Sequence, residues 1–339
     1  MIATRNLRRA RVLIVGCGDV GMRALPLIQA RAAAPRIVAL THHPERAGEL
    51  RAAGATPVSG DLDQRRSLDR LAGLARSVLH LAPPQRDGEA DRRTRALIAA
   101  LRRPRRSVAR GARNHWLHPD QAGKTFFIVP DGLRAATARR VRQCAPWRFV
   151  YASTSGVYGD CAGAWIDETR PARPENERAR RRVSAEKQLR AAGVKSGWCV
   201  SIVRIPGIYA ENRLPLVRIE RKMPALAAAD DVYTNHIHTD DLAAILLRAL
   251  SRGRPQRVFN ASDDTDLRMA DYFDRVADAY GLPRIPRISR QEAQARLEPI
   301  TLSFMRESRR LSNARLKCEL RYVLRYPTAD DFLATNARR

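Results

Sequence analysis

Short apolar runs alternate with amphipathic stretches through most of the chain. Val12-Leu13-Ile14-Val15 is a four-residue aliphatic run, and a helical pattern follows it after a glycine turn. Ile37 to Leu40, a short run before Ser59-Gly60, and "SVLHLAPPQ" (77–85) repeat the same scheme. Later runs lie in "WRFVYASTSGVYGD" (147–160), "VRIPGIYAENR" (203–213) and "RVFNAS" (257–262). Runs of this length are buried strands, and helical patterns between them predict crossover units and a parallel sheet. Pro83-Pro84 stops the fourth strand, because proline offers no amide donor and holds the chain extended. The fold expected is α/β: a doubly wound parallel sheet with a smaller C-terminal substrate region. The division expected is 1–203, with an insertion at about 104–146, and 204–339, with a strand near 257–262 returning to the main sheet. The insertion is basic and broken by glycine and proline, which predicts a surface segment.

The first glycine turn carries chemistry. Gly16-Cys17-Gly18-Asp19-Val20-Gly21 reads G-x-G-x-x-G between a strand and a helix. Gly16 allows the tight turn, Gly18 lets backbone approach a diphosphate, and Gly21 lets the helix pack close. The helix N-terminus adds amide donors and a favourable dipole. The pattern predicts a Rossmann-type dinucleotide site at Gly16, Gly18, Asp19, Val20 and Gly21. The second strand ends in Thr41-His42-His43, with Arg46 beyond it and no acid at the strand end. An acid there would bind ribose hydroxyls and repel a 2′-phosphate. NADP(H) is therefore expected over NAD(H), with Thr41, His42 and Arg46 near the adenosine ribose. Asp61 and Leu62 are placed over the adenine, and Ala82 and Pro83 at the carboxyl edge of the sheet. His80, inside an apolar run, reads as a packed core histidine.

Taken together, the motifs resemble the extended short-chain dehydrogenase/reductases, the group often labelled NAD-dependent epimerase/dehydratase. The likeness runs from the glycine motif through Gly60-Asp61-Leu62, Ser153-Thr154-Ser155-Gly156-Val157-Tyr158-Gly159 and "DETRPARPENE" (167–177) to "NHIHTDDLA" (235–243), "VFNASDD" (258–264) and a closing segment at 308–327. The resemblance implies a dinucleotide cofactor and a catalytic Tyr-x-x-x-Lys pair on the helix after Pro171 and Pro174. In this chain Arg178 and Arg182 stand at those two positions, four residues apart and so on one helix face. Arginine stays charged and only donates hydrogen bonds, so Arg178 does not replace a tyrosine as proton shuttle. Arg178 is expected to hold an anionic substrate and Arg182 to donate to ribose or phosphate. Thr154 aligns with the family's catalytic serine or threonine. Tyr158, Tyr209 and His236 are candidate substitute acids. Arg180 and Arg181 are expected on solvated faces. Asp240 and Asp241 read as structural acids at a helix start.

Composition narrows the rival functions. The chain of 339 residues carries 62 Lys+Arg against 35 Asp+Glu, a formal net charge of +27. Such charge favours polyanions. Here it is dispersed, and aromatics are only 6% of the chain, so an interleaved nucleic-acid surface is not indicated. Five cysteines without CxxC spacing argue against a disulfide framework and fit a cytoplasmic protein. No run approaches the length of a membrane span. The paired His115 and His118 have no completing ligands nearby, and no metal site is expected. The leading expectation is an NAD(P)-binding oxidoreductase or epimerase/dehydratase-like protein for a small, anionic substrate. The alternative is a non-catalytic dinucleotide-binding sensor or scaffold. Substrate, reaction and oligomeric state are not legible.

Overall fold

The computed structural model describes residues 10–103 and 147–336. The 104–146 connection, with His115 and His118, lies outside the described residues. Seven strands form one sheet: β1 (Arg11–Val15), β2 (Arg36–Thr41), β3 (Thr56–Ser59), β4 (Ser77–His80), β5 (Arg148–Thr154), β6 (Cys199–Ile205) and β7 (Arg257–Asn260). Their order is β7-β6-β5-β4-β1-β2-β3, and every neighbouring pair is parallel. The order reverses between β1 and β4, where the carboxyl ends of the strands open a crevice for ligands.

Side chains that alternate along each strand feed two cores. Val12, Ile14, Ala39, Val150, Val203 and Phe259 face helices α1 (Asp19–Gln29) and, further along the chain, Thr239–Arg252. Leu13, Val15, Val38, Phe149, Val200 and Ile202 face α2 (Arg92–Arg102) and α3 (Glu177–Ser196). The period of two along a strand gives each helix layer its own apolar set. A third core joins Tyr209, Ile219, Tyr272, Phe273, Val276 and Phe332 in the C-terminal region.

Helix α3 carries the arginine run and has defined ends. Asn176 accepts a hydrogen bond from the Ala179 amide at 2.9 Å, and Gly197 closes the helix at φ +63°. Ala185, Leu189 and Ala192 fix its buried face. Arg181 corrects the solvated expectation. It is buried, donating to the Gly88 carbonyl at 2.8 Å and pairing with Glu177 at 3.2 Å. Its charge is tolerated there because both partners satisfy it.

Candidate functional site

The glycine turn at the end of β1 has the geometry of a dinucleotide cradle. Gly16 has φ +83°, and a β-carbon on it would lie 2.5 Å from the Ala82 amide nitrogen. Only glycine fits that approach. A β-carbon on Gly18 would meet nothing within 4 Å, so backbone, and no side chain, faces the opening. One on Gly21 would lie 3.1 Å from the Cys17 sulfur, which keeps α1 close to the strand. These three glycines fit a bound diphosphate.

A cavity of about 300 Å³ opens there, lined by Gly16, Gly18, Asp19, Val20, Gly21, Leu81, Thr154, Arg182, Pro206 and Arg213 among others. A second cavity of about 320 Å³ holds Thr154, Arg178, Arg182, Tyr233, Glu307 and Arg309 in its wall. Thr154, Arg182 and Pro206 line both, so the two cavities share a wall at the end of β5.

The side chains at this junction are held from several elements. Thr154 ends β5, and its hydroxyl oxygen accepts from the Gly156 amide at 3.3 Å. Arg182 donates to the Ala152 carbonyl at 2.6 Å and to the Tyr151 hydroxyl at 3.2 Å. Arg178 lines the second cavity, with part of the residue exposed and part covered by the wall. Burial by the surrounding wall, and then the charge of Arg182, lower its pKa from the usual guanidinium range. It still remains a cation near neutral pH. Arg309 donates to the Gly159 carbonyl at 2.9 Å and to Glu307 at 2.8 Å, and its buried Nε has no hydrogen-bond partner. Glu307 also accepts from Asn176 at 3.1 Å. Three arginines and one glutamate therefore line this cavity, with Arg309 bonded to Glu307.

The three substitute acids from the sequence stand elsewhere. Tyr158 is buried and donates to Asn260 at 2.7 Å. Tyr209 is buried and points its hydroxyl at the Thr328 carbonyl, 3.4 Å away. His236 is buried against Tyr272, with ring centroids 3.9 Å apart, and burial pushes its pKa down to about 3. None of the three is among the residues that line either cavity. Tyr233, Glu307 and Arg309 in the second cavity, and Arg213 in the first, are titratable or charged residues that sequence reading missed. They come from the C-terminal region, and no local motif marks them. Asp241 accepts from the Arg325 and Tyr326 amides and from the Tyr322 hydroxyl, a structural anchor. His80 is buried with Nε2 at 2.9 Å from the Thr94 hydroxyl.

The residues expected on the adenosine side are not among those that line the two cavities. Arg46 donates to the Cys17 carbonyl at 2.9 Å, so it reaches the glycine turn. It is also held by both oxygens of Glu49, at 2.9 and 3.0 Å. His42 is exposed beside His43, and the Thr41 hydroxyl donates to the His43 carbonyl at 3.2 Å. The Asp61 carboxylate caps the Asp63 amide at 2.9 Å. Leu62 lines a separate hollow with Arg65, Arg92 and Arg93, while Ala82 backs Gly16. The exposed Pro83 accepts from Arg93 at 3.3 Å. Among the described residues there is no group of three or more His, Cys, Asp or Glu able to hold a metal, and no helix long and apolar enough to cross a membrane.

A sequence profile of the NAD dependent epimerase/dehydratase family matches residues 12–262. No curated protein matches the chain significantly. Solved structures similar to it include a functionally unknown conserved protein from Silicibacter pomeroyi, at 26% identity and TM-score 0.68, covering 97% of this chain and 98% of that one. Another is the UDP-glucuronic acid 4-epimerase from Bacillus cereus in complex with NAD, at 13% identity and TM-score 0.64, covering 96% and 99%. A third is the UDP-glucose 4-epimerase from Thermotoga maritima with UDP-glucose, at 14% identity and TM-score 0.66, covering 97% of each chain. At identities this low the two epimerases speak for the fold.

Proposed function

The chain belongs to the NAD-dependent epimerase/dehydratase family, and from that premise we propose that it is an NAD(P)-dependent oxidoreductase or epimerase-like enzyme for a small anionic substrate. The observation that carries this reading is the wall shared by the two cavities. The glycine cradle opens one of them, and Arg178, Arg182 and Arg309 concentrate positive charge in the other. A bound nicotinamide dinucleotide would supply hydride transfer. Thr154 would orient a substrate carbonyl or hydroxyl through its own hydroxyl group. The guanidinium groups would bind the anionic part and stabilise negative charge that develops on it. Arg182, which touches both cavities, would hold the two ligands in register. The Bacillus cereus neighbour was solved with NAD. For this chain NADP(H) is the favoured form, because Arg46 reaches the glycine turn and no acid ends β2. The described cysteines are unpaired, which suits a reducing cytoplasm.

One observation favours a second reading. Arg178 and Arg182 fill the positions where the family carries its proton-transfer pair, and arginine does not titrate near neutral pH. A dinucleotide sensor without turnover fits that substitution. The test is conversion of paired panels of carboxylated or phosphorylated carbonyls and alcohols and their neutral analogues by the cofactor-loaded chain, read both as cofactor oxidation or reduction and as epimer formation. Turnover confined to the anionic panel supports the enzyme. Tight cofactor binding with no turnover on either panel favours the sensor.

A further inference from the structure

Asp19 raises a physical problem at the glycine cradle. It is the first residue of α1, and its carboxylate lines the cavity where a diphosphate would lie. Two like charges in one cavity repel, and helix-end amides alone would have to overcome the repulsion. The structure answers with cations. The Asp19 carboxylate accepts from Arg23 Nε at 3.1 Å and from Arg213 Nε at 2.9 Å. Arg23 is shared with Asp240 at 2.6 Å. Arg213 comes from the far side of the cavity. It ends the turn Glu211–Arg213, which follows the short strand Gly207–Tyr209. Its backbone amide donates a hydrogen bond to the Ala210 carbonyl at 2.9 Å, and Leu214 and Leu216 pack into the C-terminal core. The Arg213 side chain is 39% exposed and lines the cavity beside Gly16, Gly18 and Asp19. Guanidinium is a planar fork, so a group bonded through Nε still presents its terminal nitrogens further out.

We propose that Arg213 is a ligand of the cofactor diphosphate, an arm from the C-terminal region that closes over the glycine turn while Asp19 holds it in orientation. This rests on the reading that the cavity binds a nicotinamide dinucleotide. The arm also ties the cofactor to the region that supplies Tyr233, Glu307 and Arg309 to the second cavity.

The experiment is calorimetric titration of ADP-ribose, which has the diphosphate and lacks the nicotinamide, into the wild-type chain and the variants Arg213→Ala, Arg213→Lys and Asp19→Asn. Thermal melts of each variant check that the fold is retained. Arg213→Ala should weaken ADP-ribose by about tenfold or more, the scale of one charge-assisted hydrogen bond. Its affinity should also depend less on salt. Arg213→Lys should fall between the two, because it keeps the charge and loses the fork. Asp19→Asn should leave affinity unchanged or tighten it. If Arg213 serves only to neutralise Asp19, adding Arg213→Ala to Asp19→Asn will cost no further affinity, and the proposal is overturned; a further loss of about tenfold in that double variant supports it. Normal binding by Arg213→Ala overturns it as well, with the dinucleotide reading left standing. A wild-type chain that binds no dinucleotide overturns both.

Discussion

Arg204 and Glu186 form an ion pair at 2.8 Å with side chains only 6% and 5% exposed. Ser153, the neighbour of Thr154, donates to the same carboxylate at 2.6 Å, and the Arg204 guanidinium lies 4.6 Å from the centre of the Tyr158 ring. The pair therefore joins α3 to β5 and β6 behind the shared wall. Removing one member of a buried pair leaves an uncompensated charge, at a cost of about 3–5 kcal/mol. Glu186→Ala should lower unfolding stability by that order in urea denaturation. A loss under about 1 kcal/mol would mean that water reaches Arg204 and the pair is not structural.

Gly16 and Gly18 should respond differently to a side chain. Gly18→Val places its branches in open space at the cradle, so the fold should persist while dinucleotide binding is abolished. Gly16→Ala meets the Ala82 amide and a left-handed backbone, so it should lower the melting temperature. Calorimetry and thermal melts on the two variants separate the effects. A folded Gly18→Val protein with unchanged NADPH affinity would remove the glycine turn from the site.

NADPH should bind more tightly than NADH at equal salt. Arg46→Ala should reduce the difference by about tenfold, the order of one hydrogen bond to a charged group. Glu49→Gln should widen it, because Glu49 competes for the same guanidinium. Equal affinities in the wild type would show that the Arg46–Glu49 pair stays closed against a 2′-phosphate.

Turnover, once a substrate is found, should not depend on a tyrosine–lysine pair in α3. Arg178→Ala should raise KM for the anionic substrate more than it lowers kcat, since a fixed cation supplies binding and no proton. Arg182→Ala should weaken cofactor binding. Thr154→Ala should lower kcat by about a hundredfold, the scale of one lost donor to a developing oxyanion. Steady-state kinetics with the three variants tests each role. Three variants that leave both cofactor affinity and turnover intact would place the chemistry elsewhere.

Stability should fall as pH rises through neutrality because of Asp263. Burial pushes its carboxyl up to about 7, against the Thr265 amide, which it accepts at 3.0 Å and which favours the ionised form. An unfolded aspartate titrates near about 3.9. The folded pKa is thus the higher one, and the folded state holds the proton more tightly. The associated stability is full below about pH 4 and is lost as pH rises through about 7. Urea denaturation from about pH 5 to about pH 8 should show the loss in the wild type and a flatter profile in Asp263→Asn. Parallel profiles would mean that Asp263 is ionised throughout.

The central sheet and its cradle were legible in the sequence. Four-residue apolar runs, the double proline and the G-x-G-x-x-G spacing are local features, set by backbone sterics and by which neighbours share a strand face. The spacing of Arg178 and Arg182 likewise puts them on one side of α3 wherever that helix packs. Tertiary structure alone decided what meets them. Arg309 and Glu307 reach the cavity of Arg178 from about 130 residues away, and Arg213 meets Asp19 across 194. No periodicity records such a meeting, because it depends on how the C-terminal region closes over the sheet. The same holds for Arg181, whose charge predicted solvent but which a carbonyl from residue 88 and a carboxylate from its own helix made tolerable inside. Chain-local sterics and periodicity determine the elements, while burial and pairing of distant charges are settled only when those elements pack.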